Sequence, residues 1–326
     1  MLKRQEQKMT KKISIVSPCF NEQANLISCY EKVRDIFQSE LPTYDYEHIF
    51  VDNCSTDETR SLIRQVCEKD SHVKAVFNAR NYGPFRSTFN ALRHTTGDAV
   101  MPMLPVDGQD PPELIPKFVK LWDEGFFKVA GVRAKREEGV FYRFARHGFY
   151  RVVNLTANVE ITPQTSEYQL LDRRVVDALL RYPDHYPYIR GMIANIGFDH
   201  KSTTFEYVWR KRERGRSKNN IYALIDQGLN GLISFSNIPM RLLLIGGFLI
   251  SAMSLTYALA QTIYVLVSEA NVSAGIPTLI VALFFFSGVQ LFFLGILGEY
   301  IGAIHSQVRT QNIVVEDELI GIDDQK

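Results

Sequence analysis

Within the stretch LPVDGQDPPELI, Leu104 to Ile115, the loop residues Asp107, Gln109 and Asp110 gather two carboxylates and an amide in one short run. Oxygen donors of this kind suit a hard divalent cation, which takes carboxylate, carbonyl and water ligands. The stretch reads as a strand end that spills into an acidic loop. A helix opened by Pro111 and Pro112 follows, and proline suits a first helical turn. Basic groups stand elsewhere in the chain. Arg133, Lys135 and Arg136 follow an apolar run, and WRKRERGRSKNN crowds Arg212, Arg214, Arg216, Ser217 and Lys218 together. Such groups grip phosphate oxygens through charge-assisted hydrogen bonds, although a charge run also serves as a plain solvated face.

Apolar runs alternate with helical patterns in a way that would position these residues. KISIVSPCFNE predicts a buried strand, followed by a helix from about Asn21 to Ser39. YEHIFVDNCSTDET repeats the pattern, with a strand through Val51, a polar turn and a helix from about Asp57. VKAVFNA is a third strand, STFNALRHT a helix and DAVMPMLPVD a fourth strand. DPPELIPKFVKLWDEG is a further helix and FKVAGVRAKRE a fifth strand. Alternation of this kind predicts an α/β domain with a mostly parallel sheet wrapped by helices. Ligands on such sheets bind outside the carboxyl ends of the strands. Asn21, Asp52, Asn53, Asp107 and Arg133 all fall at those ends. No G-x-G-x-x-G follows the first strand and no Walker A motif occurs, which disfavours a dinucleotide oxidoreductase or a P-loop NTPase. A sugar nucleotide is the remaining common occupant.

The chain has 326 residues and a net charge of +1, so no overall field argues for nucleic acid. Its four cysteines show no CxxC or paired histidine spacing, which points to reduced thiols in a cytosolic domain. The N-terminal run is polar and basic and lacks the apolar core of a signal peptide. After Arg241 the chain stays uncharged until Glu269, and then again until Glu299. Each stretch exceeds the ~20 residues that cross a bilayer. The link between them has no Lys or Arg and the preceding segment is strongly basic, so both ends of this hairpin are expected in the cytoplasm. Just ahead of it, Ile221, Leu224, Ile225, Leu229 and Leu232 recur at helical spacing. That pattern fits an amphipathic helix at the membrane surface, or one that packs on the soluble domain.

SIVSPCFNEQANL, VDNCSTDET, ARNYGPF, VDGQDPPEL, SEYQLLDRRVVDAL and RERGRSKNN occur in that order. In this order they resemble family 2 glycosyltransferases of GT-A (Rossmann-like) fold. The resemblance is greatest to polyprenyl-phosphate glycosyltransferases, the group of dolichyl-phosphate mannose synthase and bactoprenol glucosyltransferases, and it spans about Ile13 to Val314. It implies a polar tail over 1–12, a GT-A catalytic domain over 13–218, an interfacial helix over 219–238, a two-span hairpin over 239–304 and a cytoplasmic tail over 305–326. It also implies transfer of a sugar from a UDP- or GDP-sugar to undecaprenyl or another polyprenyl phosphate, at a bacterial inner membrane. Pro18, Asn21, Glu22, Asp52 or Asn53, and Arg80 would bind the nucleotide sugar, with Gly83 letting the backbone approach it. Asp107 would hold Mg2+ or Mn2+, with Asp110 as a second candidate or as a cap on the following helix. Arg133, Lys135, Arg212, Arg216, Ser217 and Lys218 would meet the diphosphate or the acceptor phosphate, or would anchor lipid headgroups. Relatives with this hairpin are often tetrameric.

The chain departs from the family pattern twice. Pro105 replaces the first of two aspartates in the acidic loop. Glu167, followed by Gln169, stands where relatives often carry Asp and Arg, and that Asp is usually named as the base. A phosphate acceptor has its second pKa near ~6, so its oxygen is already ionised at neutral pH and a general base matters less. Glu167 would then orient the acceptor or the sugar, or contact the metal indirectly. Single-displacement, inverting transfer is the expected mechanism. A transferase with a sugar-hydroxyl acceptor, or a catalytically silent membrane scaffold, are the competing readings.

Overall fold

The structure is a computed structural model of the chain. It describes residues 10–134, 165–181, 189–210, 212, 245–250, scattered positions from 252 to 267, 275–308 and 314–322. Lys135, Arg136, Arg214, Arg216, Ser217, Lys218 and the expected interfacial helix over 219–238 lie outside the described residues, as does much of the first apolar segment.

Contacts divide the chain into two units. Among the described residues, the first holds an eight-stranded sheet. In chain order its elements are β1 (Lys12–Cys19), α1 (Leu26–Ser39), β2 (Asp45–Asp52), α2 (Thr59–Lys69), β3 (Val73–Asn78), α3 (Pro84–Ala91) and β4 (Ala99–Met101). Then come α4 (Ile115–Asp123), β5 (Lys128–Ala134), β6 (Thr165–Asp172), α5 (Arg173–Leu180), α6 (Ile189–Asn195) and β7 (Ser202–Val208). The spatial order of strands is β7-β5-β6-β4-β1-β2-β3-β8, where β8 is Glu316–Ile320. Strands β4, β1, β2 and β3 run parallel, and β5 runs parallel to β7. β6 lies antiparallel between β4 and β5, and β8 lies antiparallel on β3.

The central strands are apolar on both faces because helices cover both. Ile13 and Ile15 of β1 join Phe50, Phe77 and Met101 under α1, α2 and α4, while Val16, Ile49, Val51 and Val76 fall on the opposite face, all fully buried. The fully buried Glu47 sits beside Ser14 across the β1–β2 pairing. It accepts hydrogen bonds from Ser14 Oγ at 2.6 Å and Lys74 Nζ at 2.6 Å. These partners hold its carboxyl down at about 2 against the opposing effect of burial. Gly97 passes so close that an added Cβ would lie 2.6 Å from Ser14 N.

Two expectations change. α1 starts at Leu26 rather than near Asn21, because Asn21 adopts φ 54°, a left-handed conformation that no helix continues. The stretch expected as a tail begins inside a helix that runs to Val308, and it then supplies β8.

The second unit contains α7 (Ile276–Val308), 33 residues long. At 1.5 Å per residue it extends about 50 Å, against a hydrocarbon core of ~30 Å. Its window Phe285–Gly302 is the one span among the described residues long and apolar enough to cross a membrane, and none of it is buried. Residues 245–250 are also helical, and an added Cβ at Gly246 would stand 3.8 Å from the Phe293 ring.

Candidate active site

The carboxyl ends of the parallel strands converge on one edge of the sheet, where the loops after β1, β2, β3 and β4 leave and where β5 and β7 also end. After β1, Asn21 bridges to the loop after β2. Its backbone N–H donates to Ser55 Oγ at 2.8 Å and its Oδ1 accepts from Thr56 N at 2.8 Å. After β2, Cys54 takes φ 60°. Asp52 accepts two bonds from Ser55 N, at 3.0 and 3.3 Å, and lies 3.7 Å from Arg60 Nε. Asp52 is fully buried, and burial raises its carboxyl above the ordinary range despite these partners. Asn53 Oδ1 gathers donors from Asn78 Nδ2 at 3.1 Å, Tyr82 N at 3.3 Å and the Ser87 hydroxyl. Both side chains therefore tie loops together. After β3, Arg80 lies over the Tyr82 ring, 4.3 Å from its centroid. Gly83, at φ 83°, then turns the chain into α3 in a conformation that favours glycine.

The loop after β4 carries the acidic stretch. Strand pairing stops at Met101; one further backbone bond, Leu104 N to Val16 O at 2.8 Å, holds the chain beside β1 before Pro105, which has no N–H. Asp107 closes a tight turn: Gln109 N donates to its Oδ1 at 3.1 Å, and Gly108 takes φ 74°. Burial, together with nearby Glu22 and Asp110, raises the Asp107 carboxyl above its usual range. Arg212 counters that charge. Its guanidinium bonds Glu22 and approaches Asp107 Oδ2 at 3.9 Å. Backbone bonding steers it there, since Arg210 N donates to Gln109 O at 3.0 Å. Asp107, Glu22 and Arg212, far apart in sequence, thus form one cluster.

Asp110 belongs to a second cluster and does not cap the helix that follows. The residue before that helical turn is Pro111, which offers no side-chain cap. Asp110 is 3% exposed. It accepts from the Tyr207 hydroxyl and from Arg133 Nη2 at 3.3 Å, and burial raises its carboxyl. Arg133 also donates to Tyr207 OH at 3.2 Å and lies over Trp209, 4.7 Å from the ring centroid. Glu167 on β6 pairs with Arg190 of α6 at 2.6 Å, and its charge is felt at both Asp110 and Arg133. Tyr207, Trp209, Arg190 and Arg60 did not stand out in the sequence. The alternation of Tyr207 and Trp209 across FEYVW was the available signal, since residues two apart share one face of a strand.

No group of three or more His, Cys, Asp or Glu side chains that could hold a metal occurs among the described residues. The oxygens of the Asp107–Gln109 turn fit a hard cation that draws its remaining ligands from substrate and water. Burial, with the charges of Glu22 and Asp110, raises Asp107, and Arg212 is drawn to it; a site that attracts one cation in this way suits such an ion.

A bactoprenol glucosyl transferase of Shigella phage SfX is 33% identical over 301 residues, covering 92% of this chain and 97% of that protein. A second, from Shigella phage SfV, is 35% identical over 295 residues, covering 90% and 94%. The solved structure of glucosyl-3-phosphoglycerate synthase from Mycobacterium tuberculosis shares 21% identity at a TM-score of 0.50, over 69% of this chain and 79% of that one. It shows the GT-A-like fold. Glycosyl transferase family 2 matches residues 14–180, from β1 to the end of α5. With that match and relatives of this identity along nearly the whole length, the chain belongs to glycosyl transferase family 2.

Proposed function

We propose that this glycosyltransferase is anchored in a bacterial inner membrane and moves a sugar from a UDP- or GDP-sugar to a polyprenyl phosphate, undecaprenyl phosphate in particular. The product would supply cell-envelope glycan or lipid modification. One observation carries the reading. Arg212, from the basic run that leads into the apolar segments, stands beside Asp107 in the acidic loop. The names of the two phage relatives support the lipid acceptor. The exposed apolar face of α7 and the approach of Gly246 to Phe293 support a two-span hairpin. Its ends, with the catalytic domain, are assigned to the cytoplasm, and a homo-oligomer such as a tetramer is the assembly to test.

Pro18, Asn21, Glu22, Asp52, Asn53 and Arg80 are assigned to the nucleotide side. Asp107, with Gln109, is assigned to Mg2+ or Mn2+, which when bound neutralises charge on the departing diphosphate. Asp110, already engaged by Arg133 and Tyr207, holds Arg133 in place rather than serving the metal. Arg133 and Arg212, with Lys135, Arg216, Ser217 and Lys218, meet the phosphates. An acceptor phosphate oxygen attacks the anomeric carbon from the face opposite the nucleotide. The bond from that carbon to the diphosphate oxygen breaks and its electron pair leaves with the nucleoside diphosphate, so the configuration inverts. No proton moves, and the protein's task is to align two anions and offset their repulsion. Glu167, held by Arg190, orients and does not deprotonate.

The test incubates full-length protein with UDP- and GDP-sugars, Mg2+ or Mn2+, and undecaprenyl phosphate. A chloroform-soluble glycolipid of inverted anomeric configuration is expected, and Asp107→Asn should abolish it. No product with any donor, or near wild-type turnover by the Asn variant, refutes the reading or the assignment of Asp107 respectively.

A further inference from the structure

We infer that the C-terminal strand β8 is a positioning element of the donor pocket, acting through Tyr82 and Arg60. The inference rests on the reading that the carboxyl edge of the sheet binds a nucleoside diphosphate. β8 pairs with β3 through Ala75↔Ile320, Val76↔Leu319 and Phe77↔Glu318, and the register shifts between Phe77 and Asn78, where β3 gives way to its loop. Beyond the shift, Val315 ties both ends of that loop. Ala79 N donates to Val315 O at 2.9 Å, and Val315 N donates to Tyr82 OH at 3.1 Å. Tyr82 N in turn donates to Asn53 Oδ1, and Arg80 rests on the Tyr82 ring. The loop assigned to the nucleotide is therefore stretched between Asn53 and the last strand of the chain.

A second arm reaches the end of β2. Asp317 binds Arg60 Nη2 at 2.6 Å, and Arg60 lies over Phe77 with its Nε 3.7 Å from buried Asp52. Asp317 thus fixes the guanidinium that faces Asp52. A third contact joins Glu316 to His94 at 2.6 Å and to Asn90 of α3. A strand that merely covered an open sheet edge would need backbone pairing alone. Here β8 also sends side chains to Arg60 at the start of α2 and to His94 beyond α3, while the backbone of Val315 just ahead of it holds the loop after β3. Glu318 pairs at 2.6 Å with Arg64, which also lies over Phe77 but is 41% exposed against 22% for Arg60.

The test uses the full-length protein in detergent and measures binding of UDP and GDP with Mg2+ by calorimetry, alongside the KM for undecaprenyl phosphate. Tyr82→Phe removes the acceptor for Val315 N, and Asp317→Ala releases Arg60. Each should weaken nucleotide binding about three- to tenfold, the range of one lost hydrogen bond, and leave the acceptor KM unchanged. Asp317→Glu should recover most of the loss, and Glu318→Ala should match wild type. Wild-type affinity in Tyr82→Phe and Asp317→Ala, or an equal loss in Glu318→Ala, overturns the inference. Wild-type protein that binds neither nucleotide overturns the donor reading, and this inference with it.

Discussion

Arg133→Met isolates the buried Asp110 cluster. In the wild type, Asp110 shares its negative charge with Arg133 and the Tyr207 hydroxyl, and its side chain is 4% exposed against 23% for Arg133. Methionine keeps much of the volume over Trp209 but removes the cation. Breaking a buried pair by deleting one partner costs about 3–5 kcal/mol. Because Arg133 is partly solvated, a loss of about 2–3 kcal/mol is expected. The pH dependence identifies the cause. Burial already raises the Asp110 carboxyl, and Arg133 is among the groups that oppose this. Without Arg133 the folded-state pKa rises further above the unfolded value. For a carboxyl raised on folding, the penalty is absent below the unfolded pKa and grows as pH rises through the folded one. The deficit in Tm should therefore be largest near neutrality and shrink on acidification, read by thermal unfolding of the detergent-solubilised protein across pH. Adding Asp110→Asn removes the stranded charge and should restore part of the loss, a coupling that a double-mutant cycle measures. A deficit that does not change with pH, or losses that simply add, would refute the reasoning.

Glu167→Gln should lower kcat by less than about tenfold, since orientation and not proton transfer is at stake, whereas loss of a general base costs ~10²–10⁴; steady-state kinetics decide. Acid should destabilise the first unit in two stages. His48 is fully buried and its pKa is pushed down to about 3, so stability falls as pH drops below its unfolded value of 6.5, by up to about 1.4 kcal/mol per unit. Glu47, held down at about 2, adds a loss below its unfolded value of 4.5. His48→Gln should flatten the unfolding-versus-pH curve between 6.5 and 4.5 while leaving the steeper acid limb. Gly97→Ala should cost about 1–3 kcal/mol in denaturant unfolding, because the new methyl meets Ser14 N at 2.6 Å and backbone must shift.

Much of the site is legible because local pattern dictates it. Apolar runs closed by Asn21, Asp52 and Asp107 predict strand ends, and the structure places these residues at one edge of the sheet. The end of β4 was not legible: the apolar run DAVMPMLPVD predicts a strand to Asp107, whereas β4 stops at Met101, just before Pro102, which has no N–H to extend the ladder. The partners were not legible. Asp110 reads locally as a helix cap, yet its bonds go to Arg133 and Tyr207, which only the β5–β7 pairing brings close. Strand β8 was the hardest case. EDELI is rich in residues depleted from strands, and it becomes one because β3 offers an unpaired edge while Arg60, Arg64 and His94 receive its acids.

The pairing of Ala75 with Ile320 also bears on the order of biosynthesis. Translation delivers β3 early and its partner β8 last, after both apolar segments have left the ribosome. Until then the nascent chain carries an open edge at β3, the kind of exposed backbone that seeds mispairing. Long-range pairing of this sort is also slow to close. Completion of the sheet is thereby tied to synthesis of the apolar stretches, and a polypeptide cut short within either of them would keep a finished β1–β4 core but an unfinished wall beside it.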